Sequence, residues 1–301
     1  MYYRSLNEEL REKFGEKLYK LALDGGFTCP NRDGTIGSRG CTFCLGGSGS
    51  FAEGKCASVS EQIERAKRRV EKKNPSGKYI AYFQSYTNTY APVKRLEALF
   101  GEAIAHPDIA ALSVGTRPDC LPPEVLELLA RLNKIKPVWV ELGLQTIHEQ
   151  TAEKIRRGYD LSVFDKAVKN CKAAGLYTVV HMIIGLPGET PEMAAQTAGY
   201  IGKSGADGIK LQLLHVLRGT DMAEQYAAGE FEVMSMEEYI SALEECVRRL
   251  PPQMTVHRLT GDGDKKYLIA PLWSADKKRV LNAVNGAFRR DNVVQGERYE
   301  V

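Results

Sequence analysis

Six short apolar runs, spaced by stretches of helical character, constrain this chain more than any other feature. They are KLYKLAL (17–23), KYIAYFQ (78–84), IAALSVG (109–115), VWVELGLQT (138–146), YTVVHMIIG (177–185) and GIKLQLLHVL (208–217). Between them the pattern predicts helices over 58–73, 93–105, 123–133, 148–156 with 162–174, and 191–204. Ser58 and Glu61 have capping-box spacing at the start of the first, and Gly175 stands where a helix should end. Strands alternating with helices argue for a parallel sheet, because parallel neighbours need a crossover. The later runs are apolar almost without a break, as in strands covered on both faces. Residues 1–16 read as a polar helix or arm, and the rhythm stops at about 221. A short helix (221–228), a longer one (235–249), a possible strand (254–259), a GDGD turn and a basic helix (276–290) remain. These read as a cap and not as a separate domain, and 301 residues suit one such unit. Periodicity alone does not separate an open barrel from a doubly wound sheet.

The chemistry concentrates in residues 24–45, DGGFTCPNRDGTIGSRGCTFCL, directly after the first apolar run. That places it at the carboxyl end of a first strand, where barrels keep their active sites. Cys29, Cys41 and Cys44 form a C-x11-C-x2-C pattern with no histidine close by. Three thiolates leave one metal position open, and soft thiolates select iron–sulfur clusters or zinc. Cys56 is the fourth ligand in the zinc alternative, although zinc favours two tight pairs and only one occurs. Cys120, Cys171 and Cys246 are isolated and read as packed residues. Seven cysteines, an odd and unevenly spaced set, argue against a disulfide framework, so reduced thiols and a cytoplasmic location are expected. No apolar run reaches 18 residues and the N-terminus has no apolar signal core, so no membrane partner is expected. A net charge of +3 neither demands nor excludes nucleic acid. The basic runs at 65–73 and 277–290 read singly as solvated faces and together as an RNA-facing rim.

The long-gapped cysteine motif, with Phe43 before its last cysteine, heads a βα-repeating chain. In this it resembles the radical S-adenosylmethionine (SAM) superfamily. The usual spacing there is C-x3-C-x2-C. The longer first gap is similar to the branch that holds the catalytic subunit of Elongator, and within it to a single-domain family of YhcC/YtqA type. The resemblance covers almost the whole chain. It implies an α/β fold: a partial (β/α)6 radical SAM barrel over 17–220, an N-terminal arm over 1–16 and a C-terminal α/β cap over 221–301. It also implies a [4Fe-4S] cluster on Cys29, Cys41 and Cys44, SAM on the remaining iron, and an external one-electron reductant such as flavodoxin or ferredoxin.

The strand ends supply the other candidates. Gln84, Ser85, Thr87 and Asn88 follow the second run, where the superfamily often carries a Gly-Gly-Glu segment that this chain lacks. Glu141 and Gln145 lie four apart on one face of the fourth strand; buried there they need partners. The ELGLQ segment resembles the ribose-binding segment of the family, and Arg157 of RRG is the expected holder of the SAM carboxylate. Gly185, in a segment similar to an adenine-binding motif, and Leu217, with Phe43 near the cluster, complete the expected SAM set. His181, Lys210 and His215 are the expected substrate residues; Lys210 and Gln212 share a strand face that His215 does not.

The resemblance points to a radical SAM enzyme acting on tRNA. The chain has no length for the Elongator subunit's acetyltransferase domain, so remodelling of an existing wobble-uridine side chain is expected. The expected step converts 5-carboxymethylaminomethyl-(2-thio)uridine to the 5-aminomethyl form. Two alternatives stay open: a radical SAM enzyme with a porphyrin-like small substrate, and a non-catalytic zinc module or redox sensor.

Overall fold

The alternation in the sequence becomes a curled parallel sheet in the computed structural model, which describes residues 2–46, 52, 58–74, 77–261 and 263–300. Cys56 and Asp262 lie outside the described residues. Strands β1 (Tyr19–Leu23), β2 (Tyr79–Phe83), β3 (Ile109–Thr116), β4 (Val138–Gln145), β5 (Tyr177–Ile184) and β6 (Gly208–Leu213) lie side by side in chain order. All five neighbouring pairs are parallel. Helix α1 (Leu6–Phe14) precedes β1, and α2 (Val59–Val70), α3 (Val93–Ala105), α4 (Pro123–Asn133), α5 (Glu149–Lys154) with α6 (Leu161–Ala173), and α7 (Pro191–Lys203) fill the crossovers. The local signals act as their chemistry dictates. Ser58 accepts from the Glu61 amide at the start of α2, and Thr190 accepts from Met193 at the start of α7. Gly175 takes a φ of 69° just past α6, a left-handed conformation that glycine adopts without strain.

The sixth run and the expected cap differ from their sequence outline. β6 ends at Leu213, not at 217, because the chain turns out of the sheet at Leu214 and His215. Beyond that turn β7 (Val216–Leu217) pairs antiparallel with β9 (Leu268–Ala270) in a separate small sheet. Helices α8 (Asp221–Ala227) and α9 (Met236–Arg248) follow β7. Strand β8 (Thr255–Arg258), read from the sequence as part of a cap, instead adds to the main sheet as a seventh parallel strand beside β6. It satisfies backbone groups that β6 would otherwise expose as an edge. Helix α10 (Lys277–Arg290) packs against α9.

The two faces of the sheet are built from alternate residues. Leu21, Phe83, Leu112, Val140, Val180 and Leu211 point outward and are buried against the helices in one large apolar core. The inward set is layered. At the amino end Ile80, Ala111 and Trp139 pack on Leu18 and on Leu10 of α1, which closes the barrel floor from below. The N-terminal arm reaches the far edge of the sheet: Arg4 carbonyl oxygen accepts from the Val256 amide at 2.8 Å, and Ser5 bridges to the same residue. Above the apolar layer come Lys20, Tyr82, Ser113, Glu141, His181 and Lys210. Higher still, glycine stands at positions 115 and 143.

Candidate active site

The cysteine loop caps the carboxyl ends of the strands because its own backbone and side chains anchor it there. Arg32 and Asp33 amides turn back to the Cys29 carbonyl, and the Gly40 amide reaches the Asn31 carbonyl at 2.7 Å. The loop is also tied to the turn after α5. Asn31 Nδ2 donates to the Arg156 carbonyl at 2.6 Å, the Thr42 amide donates to Ile155, and Arg156 Nε donates to the Gly40 carbonyl at 2.9 Å. Arg156 also pairs with Asp221 at 2.5 Å, so the start of α8 holds the same corner. Arg156 takes a φ of 55°, a left-handed backbone that this set of bonds sustains.

Beneath this loop lies a cavity of about 320 Å³. Cys29, Cys41, Phe43 and Cys44 form its roof, and all three cysteines are free thiols. Burial pushes the Cys41 thiol up to about 11, with Cys44 adding to the shift; a metal must displace that proton. Gly115 and Gly143 leave the wall bare. A Cβ at 115 would come within 3.3 Å of the Phe83 carbonyl oxygen, and one at 143 within 2.8 Å of Gln145 Nε2.

The floor is polar. Both Glu141 oxygens are taken up by this chain's own donors: Oε1 by Lys20 Nζ and Ser113 Oγ, each at 2.5 Å, and Oε2 by His181 Nε2 at 2.7 Å and by Lys210 Nζ. Burial works to raise the Glu141 carboxyl, but Lys20, Lys210 and His181 outweigh it and hold it well below the usual carboxylate range. Burial lowers His181 to about 4, with Lys210 adding to the effect, and lowers Lys210 to about 7 against the pull of Glu141.

The structure brings most of the sequence candidates to this cavity and separates others from it. Cys29, Cys41, Phe43, Cys44, Gln84, Thr87, Glu141, Gln145, Arg157, His181 and Lys210 line it. Glu141, expected to meet ribose hydroxyls, is saturated from within. Arg157, expected to grip a carboxylate, has all three guanidinium nitrogens engaged: Nη1 on the Thr146 carbonyl, Nη2 on Glu149 and Nε on the Tyr159 carbonyl. Ser85 and Asn88 are buried beside the wall, where Asn88 Nδ2 donates to the Gly115 carbonyl at 2.8 Å. Gly185 faces Met234, Leu217 lies in the small sheet, and His215 packs against Gly261 and Gly263. None of these five is among the residues lining the cavity.

Sequence reasoning passed over Lys20, Tyr82, Ser113, Arg117 and Tyr159. The first three were signalled by polar atoms inside apolar strands, in the phase that register shares with Glu141. Arg117 chelates Asp119 at 2.9 and 2.7 Å and donates to the Arg157 carbonyl. Tyr159 lies under both guanidinium groups, at 5.2 Å from Arg117 and 4.7 Å from Arg157.

The chain matches the model of the Radical SAM superfamily over residues 33–201 and that of the Radical_SAM C-terminal domain over 206–290. The chain belongs to the radical SAM superfamily. It is 44% identical to the uncharacterized protein YtqA of Bacillus subtilis over 99% of this chain and 93% of that protein. It is 30% identical to the tRNA uridine(34) acetyltransferase of Methanocaldococcus jannaschii over 50% of this chain and 28% of that protein. Elp3 of Methanocaldococcus infernus shares the fold, with a TM-score of 0.71 at 19% identity over 92% of this chain and 64% of that one.

Radical SAM enzymes use SAM and an iron–sulfur cluster, and the residues here fit both. Three free thiols roof one cavity. Thr87 Oγ1 and Gln145 Oε1 line it buried and without a hydrogen-bond partner, which is costly unless a ligand meets them. No helix among the described residues is long and apolar enough to cross a membrane.

Proposed function

We propose that Cys29, Cys41 and Cys44 hold a [4Fe-4S] cluster, and that this radical SAM enzyme remodels the wobble uridine of tRNA. The observation that carries the cofactor reading is the convergence of three free thiols and two unpartnered polar atoms on one glycine-walled cavity. Zinc fits less well, because structural zinc favours two tight thiolate pairs and the chain has one such pair, Cys41 and Cys44. When bound, cluster and SAM supply a 5′-deoxyadenosyl radical that removes a hydrogen atom. The chain's own residues shape the site: Thr87 and Gln145 offer hydrogen bonds, Gly115 and Gly143 give room, and the bonds from Asn31 and Arg156 fix the loop that carries the cysteines.

The substrate reading draws on the match to tRNA uridine(34) acetyltransferase. The proposed reaction takes 5-carboxymethylaminomethyl-(2-thio)uridine to the 5-aminomethyl form. In balance, the N–CH2–COO⁻ arm plus water gives a free amine, a two-carbon oxo acid and two hydrogen equivalents. Bound SAM would be the acceptor of those equivalents, leaving as methionine and 5′-deoxyadenosine. An external one-electron reductant of flavodoxin or ferredoxin type starts the reaction.

The test is nucleoside mass spectrometry of bulk tRNA from cells with and without the gene. Accumulation of the carboxymethylaminomethyl uridines, reproduced by Cys41→Ala, is the expected result. Unchanged nucleosides overturn the tRNA reading. Purified protein that carries zinc and no iron or sulfide overturns the cluster.

A further inference from the structure

Lys210 in the cavity floor and Lys20, which lines the cleft beside it, share a single carboxylate. Both ammonium groups reach Glu141, and Ser113 and His181 occupy the rest of its acceptor capacity. Two lysines face one carboxylate, and an anion seated beside them would hold the Lys210 ammonium, which burial lowers to about 7, in its charged form where water and salt screen little. Donors are left over as well. An ammonium has three N–H groups. Lys210 spends two, on Glu141 and on Tyr82 Oη at 3.1 Å, and Lys20 spends one. Lys210 is 5% exposed, so solvent does not make up the difference. Arg258, at the end of β8, lines the same floor.

The floor can also be reached from the side. A cleft of about 300 Å³ shares Tyr82, Gln84, Lys210 and Arg258 with the cavity and continues past Lys20 to Arg69. Its walls are β1, α2 and β8, so it opens at the seam where the first and seventh strands of the sheet fail to meet.

We infer that this floor is a carboxylate-binding subsite: Lys210 and Lys20, with Arg258 beside them, take the carboxylate of an N-alkylglycine arm on the substrate. The inference rests on the proposed function for the identity of that arm. The cations of the floor, Lys20, Lys210 and Arg258, outnumber its one carboxylate, Glu141, so the layer suits an anionic group. A carboxylate seated there accepts the unspent N–H groups in charge-assisted bonds. It leaves its neighbouring CH2 in the space walled by Gly115 and Gly143, below the cysteine roof. Lys20 and Lys210 thus select substrate that still carries the arm over product that has lost it.

The test uses the iron–sulfur-loaded protein with SAM and no reductant, and reads binding by calorimetry. The probes are 5-carboxymethylaminomethyluridine, its methyl ester, and N-methylglycine, which has the arm without the base. Wild type should prefer the free acid over the ester by about tenfold, the worth of one or two charge-assisted bonds. Lys210→Gln and Lys20→Gln should each cut that preference below about twofold, with ester binding unchanged. Melting temperature and circular dichroism check that each variant folds, and Lys20→Gln, at the more open position, serves if Lys210→Gln does not. If both variants keep the preference, the subsite is overturned and the wobble-uridine reading stands. If wild type ignores both nucleosides but binds N-methylglycine in a lysine-dependent way, the subsite stands and the wobble-uridine reading falls. If no probe binds, both fall.

Discussion

The outward and inward faces of the same strands solve opposite problems. Outward residues such as Phe83, Leu112 and Val140 are fully buried in a single apolar core that spans the sheet and its helices. They hold the fold by area removed from water, and one apolar side chain can stand in for another of like volume. Next to them in each strand, Tyr82, Ser113 and Glu141 face the lumen in a network joined by hydrogen bonds to Lys210 and to one another. No like-for-like exchange is available there, because removing one partner strands a buried charge on the other. The sheet thus keeps its stability on one face and its chemistry on the other.

The sharpest way to break this comparison is at the roof. Cys41→Ala should abolish iron–sulfur binding and drop 5′-deoxyadenosine formation to background, while urea unfolding of the metal-free protein changes little; large destabilisation would mean the roof also carries the fold. On the outward face, Phe83→Ala should cost about 3–5 kcal/mol in chemical denaturation, since it is fully buried against Phe100 at a ring separation of 5.1 Å. Glu141→Gln should cost about 3 kcal/mol by leaving two lysines without their shared anion. A neutral result there would mean that Lys20 and Lys210 find solvent.

The smallest expected effect is a pH slope. His181 is held at about 4, below its ordinary 6.5, so the folded protein binds fewer protons than the unfolded chain between those values. Stability from this group is therefore whole above pH 6.5 and lost as pH falls to about 4. Thermal unfolding across that window should show the decline, and His181→Gln should flatten it. An unchanged slope in the variant would assign the decline to other groups.

The outward face was legible from the sequence because its signal is local. The runs at 109–115 and 138–146 fall within a residue of β3 and β4 at either end, and the helices predicted over 93–105 and 123–133 match α3 and α4. Lumen geometry was legible only where a single strand carries it, as with Glu141 and Gln145 on one face. Partners from different strands were not. Nothing near Arg157 in the chain reveals that the Thr146 carbonyl and Glu149 would consume its donors. Lys20 sits 121 positions from the carboxylate it serves. The strand expected over 254–259 forms at Thr255–Arg258, but its place as the seventh strand of the main sheet escaped for a related reason: its partner β6 lies some 45 residues earlier in the chain.

The arm at the start of the chain has a consequence in time. Tyr2 accepts from the Gln295 amide and packs edge-on against Phe288, while Arg4 receives the Val256 amide. A segment made early in the chain is thus secured by residues some 250 to 290 positions later. During synthesis residues 2–5 wait for their later partners, while the helix beneath the lumen can already pack through Leu10 on Leu18, Ile80, Ala111 and Trp139. The lowest storey of the barrel is locked when residues 255–295 arrive, long after the cysteine loop has emerged.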